Sequence, residues 1–157
     1  MMKQGFTLIE LLIVISILVL LLGMGLASFN TFNRRERLKQ AGLTLKSTLR
    51  FAQTKSISVD KPSSGCTEFV GMRVAFTETT YTVQHFCTPE GLVGTADSVS
   101  IATSGLTFSP IPSSFTFETH NSSADLTTDL NLDLTNGTQI YRLIVSPNGN
   151  VSDIGFQ

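Results

Sequence analysis

Few side chains in this 157-residue sequence stand where they could do chemistry, and the most conspicuous is a carboxylate. Glu10 lies in GFTLIELLIVISILVL, at the mouth of an apolar run, with no basic residue near enough in sequence to pair with it. A carboxylate inside a membrane segment costs about 2.5–3.5 kcal/mol near the span centre and less at its edge. The chemistry such a residue offers is charge pairing in an apolar setting. Cys66 and Cys87 offer a second kind, since they flank an expected hairpin and sit in the polar, turn-forming stretches SSGCTE and HFCTPEG. Those surroundings favour a disulfide over two buried thiols, and a bridge closing that loop would contribute about 3 kcal/mol in the chain-entropy account.

Other chemistry finds little support. Zinc-type sites want CxxC pairs or clustered histidines, and the chain has no CxxC and only His85 and His120. DLNLDLTNG at 129–137 alternates Asp129, Asn131 and Asp133, but a calcium loop of the EF-hand type would need Gly at 134 and Glu at 140, where Leu134 and Ile140 stand. The alternation reads as a strand with Leu130, Leu132 and Leu134 inward and the acids outward. Neither histidine belongs to a nucleophile motif, so no catalytic residue, no metal site and no cofactor is expected, and the chain reads as a non-enzyme.

These residues need elements to hold them. Residues 11–29 carry no charge. As a helix they extend about 28 Å, close to the hydrocarbon thickness of a bilayer, which predicts a single membrane span. A cleaved secretory signal is the rival reading, with Gly25-Leu26-Ala27 as its cut, but a lone Lys3 and the intrusion of Glu10 count against it. From Arg34 an amphipathic pattern takes over: Leu38, Leu45, Ala52 and Val59 recur every seven residues, with Ala41, Leu49 and Ser56 on the adjacent stripe. No proline occurs before Pro62, so one helix can run over 6–59, with Gly42 and SFNTFN at 28–33 as the expected bends.

Beyond Pro62 the period falls to two. Strands are predicted at 69–77, 81–87, 99–102, 115–118, 130–134, 140–145 and 150–154, punctuated by Gly, Pro and Asn-Gly turns. The fold class is α+β: a long N-terminal helix packed, through Leu38, Leu45, Leu49 and Ala52, on an antiparallel sheet or small sandwich. Charge divides the chain the same way. Residues 34–61 hold eight basic and two acidic side chains, a net of +6, whereas residues 62–157 hold two basic and nine acidic, a net of −7. A basic neck joined to an acidic head suits contacts between copies and disfavours a nucleic-acid-binding head.

KQGFTLIELLIVISIL closely resembles the N-terminal signal of type IV prepilins and type II secretion pseudopilins. The resemblance implies that a membrane prepilin peptidase cuts between Gly5 and Phe6, that Phe6 is then N-methylated, and that Glu10 sets register by pairing with the α-amino group of a neighbouring subunit. LKSTLRFAQTKSISV most resembles the helix of H-type minor pseudopilins and FimT-like minor pilins, while Ala27 in place of a span proline and the lack of a C-terminal disulfide loop favour a minor subunit over the alternative of a divergent major pilin. The organisation so implied is a leader at 1–5, a membrane and filament-core helix at 6–29, a basic amphipathic neck at 30–61 and a β-rich head at 62–157. Its partners would be the peptidase, other pilin or pseudopilin subunits and the inner-membrane assembly platform. Location would be the inner membrane, head outside the cytoplasm, and then a pilus or periplasmic pseudopilus. Arg34, Arg35, Arg37 and Lys39 directly after the span oppose that topology under the positive-inside rule. A DNA-binding uptake pilin and a membrane-anchored binding protein outside any filament stand as alternatives.

Overall fold

The computed structural model describes residues 7–120 and 123–157, with the side chains of 21–28 outside that description. One helix, α1, runs Leu8–Ile57. Its residues through Glu36 belong to one compact unit, and Arg37 onward belongs to a second that contains all the strands. In the second unit the helix is uninterrupted through Gly42. It ends where Val59 takes φ 52°, a left-handed conformation unfavourable for a β-branched residue. Val59 is half exposed and lies beyond the helix, so the heptad stripe stops one member short of the predicted length.

The strands are β1 Glu68–Phe76, β2 Thr80–Thr88, β3 Gly91–Ser100, β4 Thr107–Phe108, β5 Phe115–Glu118, β6 Leu130–Thr135, β7 Ile140–Val145 and β8 Val151–Phe156. They form two antiparallel four-stranded sheets in the orders β3-β2-β1-β5 and β4-β6-β7-β8. The two-sheet alternative is thus the one adopted. β3 begins eight residues earlier than its predicted start, because Gly91, Gly94 and a polar, mostly exposed sequence hide it from hydrophobic patterning. The two-residue β4 carries no periodic signal either.

Leu38, Leu45, Leu49 and Ala52 are fully buried against both sheets' inner faces, alongside Met72, Val74, Phe115, Phe117, Leu132, Leu134 and Leu143. Polar ties fix the helix rotation. The Ser56 hydroxyl, buried on the same stripe, accepts from the Met72 amide at 2.9 Å. Gln53 donates to the Gly149 carbonyl at 3.0 Å. Asp133 departs from the expected outward orientation: it is buried and takes two bonds from Arg142, at 2.7 and 2.6 Å. That bidentate fork fills the carboxylate's acceptor positions with a guanidinium.

Gly42 of α1 faces the ring of Tyr141 on β7 in the second sheet. A Cβ there would collide with two ring carbons of Tyr141, whose hydroxyl donates to Asp153 at 2.8 Å. Gly42→Ala gains about 1 kcal/mol of helix propensity but meets an overpacking cost of about 1–3 kcal/mol. Net destabilisation of about 1 kcal/mol is expected in denaturant melts. In a Tyr141→Ala background the same substitution should become stabilising, because the obstructing ring is gone.

Burial, then the hydrogen bond to Asp153 and its charge, push the Tyr141 hydroxyl up to about 12. A phenol that ionises later folded than unfolded stabilises the fold fully below its ordinary value of about 10, and that contribution is lost as pH rises through 12. Thermal midpoints should therefore fall between pH 10 and 12. Tyr141→Phe should flatten that fall, and Tyr81, whose hydroxyl burial also raises, adds a contribution of the same sign.

Candidate processing and assembly site

At the start of α1, Thr7 and Glu10 form a reciprocal pair. The Glu10 amide faces the Thr7 hydroxyl at 3.4 Å, and the Thr7 amide faces the Glu10 carboxylate at 3.5 Å. Both contacts are long and exposed, yet the geometry is that of a capping box, in which Ser or Thr at the cap and Glu three residues on satisfy each other's backbone donors. The T-x-x-E spacing of Thr7-Leu8-Ile9-Glu10 carries this signal in the sequence, where reading Glu10 only as a charge in an apolar run missed it. Glu10 thus has a local role, capping the first turn, that does not depend on any partner.

The described side chains that follow are apolar and open. Leu8, Ile9, Leu11, Leu12, Ile13, Val14, Ile15, Ile17, Leu18, Val19 and Leu20 are all exposed, which is the reverse of what a folded unit does with its aliphatic residues. Ser16 returns its hydroxyl to the Leu12 carbonyl at 2.8 Å, so this polar side chain is satisfied within the helix. Among the described residues no helical stretch is long and apolar enough to cross a membrane. The span expected at 11–29 includes 21–28, whose side chains lie outside the description.

In the head, Cys66 and Cys87 are joined by a disulfide, with Cα atoms 5.5 Å apart. Cys87 is buried at the end of β2, and the bridge ties the segment entering β1 to the strand that pairs with it. Thr67, next to the bridge, donates through its hydroxyl and amide to Glu90 just past β2, while Lys61 donates to the Thr67 carbonyl at 3.0 Å. The Thr67 hydroxyl is the main reason the Glu90 carboxyl ionises below its usual range. His85 sits on β2, its ring 5.8 Å from Phe69, and His120 lies in a turn, so the structure does not bring the two together as a site.

Residues 1–26 match the model of the prokaryotic N-terminal methylation motif. The chain carries that methylation motif. No curated protein and no solved structure is significantly similar to it. The motif spans the apolar run and Glu10, while Gly5 and Phe6, the residues expected at the cut and the methylated terminus, lie outside the described residues. Behind the methylation motif stands a pilin-like α+β architecture, in which α1 from Leu38 onward packs on antiparallel sheets. The motif covers the N-terminal 26 residues and leaves the head's own task unassigned.

Proposed function

We propose that this chain is a prepilin whose mature form is a structural subunit of a type IV-like filament, and a minor one. The observation that carries the reading is the methylation motif on an exposed apolar helix, ahead of a β-rich head. A prepilin peptidase cuts after Gly5, and Phe6 becomes the N-methylated terminus. Glycine suits the position because a protease must approach the backbone closely, where a side chain would obstruct it. Residues 6–29 hold the subunit in the inner membrane, head outside the cytoplasm, and afterwards pack in the filament core.

The capping bonds to Glu10 are long and exposed, so a stronger partner can displace them. In the core that partner is the α-amino cation of a neighbouring Phe6. Two opposite charges, each costly in an apolar bundle, are compensated by meeting at one axial step, which sets register. The sequence likeness to H-type pseudopilins and FimT-like pilins favours a minor subunit in either a secretion pseudopilus or a pilus.

Comparative proteomics of sheared extracellular material from wild type and a clean deletion tests this reading. Loss of the major pilin with secreted enzymes unchanged assigns a pilus-priming role, and loss of secreted enzymes with pili intact assigns the secretion machine. No change in either would reject the filament role.

A further inference from the structure

On one flank of α1 within the head lies a cleft of about 250 Å³. Tyr81, Val99 and Ile101 from the first sheet and its exit make its inner wall, and Arg37, Gln40 and Thr44 of α1 stand along its other side. Ligand sites for whole small molecules run to about 300–1,000 Å³, so this volume suits the side chains of a protein segment. The cleft's one charge is Arg37, which is exposed and makes no ion pair or hydrogen bond among the described residues. A guanidinium is a rigid fork whose best protein partner is a carboxylate taken bidentately.

The chain itself supplies carboxylates in the matching state. The segment from Pro62 onward carries a net charge of −7, and several of its acids are spent internally, Asp133 on Arg142, Asp153 on Tyr141 and Glu90 on Thr67. Glu68, Glu78, Asp97 and Asp129 are exposed, and among the described residues their carboxylates have no partner. An unpaired cation in a side-chain-sized cleft and unpaired anions elsewhere on the same surface are complementary between copies.

We propose that the cleft at Arg37 receives one of these four carboxylates from a second copy of the chain. Such a contact joins two different surface patches, so it is heterologous. Repeated without closing, a heterologous contact generates an open helical array. The inference rests on the filament reading but not on the minor role, because it places copies of this subunit side by side.

The test uses the full chain in cells that hold the assembly machinery. A photo-crosslinking phenylalanine derivative replaces Thr44, and products are read in the membrane and sheared fractions separately. The expected product is a homodimer whose crosslinked peptide includes Glu68, Glu78, Asp97 or Asp129. Arg37→Glu should lower its yield about tenfold or more, and charge reversal at one of the four acids should restore it. Capture only of other proteins, capture of a peptide without these acids, an unchanged yield in Arg37→Glu, or no restoring reversal would overturn the proposal. Absence of the chain from the sheared fraction rejects the filament reading instead, while the membrane fraction still decides the homodimer.

Discussion

If the chain is a prepilin, Gly5→Leu should leave it uncut. In membranes of the parent strain, mass spectrometry should find the mature chain beginning at methylated Phe6, without MMKQG, whereas in Gly5→Leu it should find MMKQL still attached. The effect is all-or-none because a retained leader denies the filament core its α-amino cation. Glu10→Ala separates that step from assembly. It leaves Gly5 and Phe6 in place, so cutting and methylation should proceed, while recovery in sheared filaments should fall on the order of a hundredfold. An uncompensated charge in an apolar interior costs about 3–5 kcal/mol, and the unpaired α-amino group of the neighbour would bear it.

Glu10→Gln divides the two roles argued for this residue. It keeps an acceptor for the capping bond to the Thr7 amide but removes the charge. If pairing governs register, Glu10→Gln assembles as poorly as Glu10→Ala. If capping alone mattered, Glu10→Gln would assemble like the parent, and the pairing account would be wrong.

The second large effect belongs to the head. Cys66→Ser with Cys87→Ser removes a crosslink between residues 21 apart, and the chain-entropy account puts the loss at about 3 kcal/mol. A domain of this size has about 5–15 kcal/mol of net stability, so a substantial share goes with the bridge. Denaturant melts of the full chain in detergent, followed by fluorescence of Tyr81 and Tyr141, should show a lowered midpoint. Reducing agent should shift the parent to the same midpoint and leave the double variant unmoved. An unshifted midpoint in the variant would mean that the Thr67–Glu90–Lys61 contacts hold this corner without the disulfide.

Much of this molecule is determined by local order along the chain. The methylation motif is a run of residue types at fixed spacing, readable without any fold. The α1 stripe of Leu38, Leu45, Leu49 and Ala52 follows from a 3.6-residue period, and β1, β2 and β7 follow from alternation of more and less buried positions. The two turn-flanked cysteines were likewise legible as a bridge.

What only the tertiary structure decided are relations between residues far apart in sequence. No pattern announces that Gly42 is small to admit the Tyr141 ring, since its helical position looks like a flaw until the ring arrives. Asp133 reads as a solvent-facing strand acid until Arg142 on the neighbouring strand covers it. β3 is a strand because β2 offers it a ladder, even though its own glycines and polar residues argue against one. The cleft beside Arg37 exists only because α1 and the segment leaving β3 are brought together by the core between them. Sequence periodicity reports which face of an element is apolar, whereas pairing and packing are chosen by the partners that cover it.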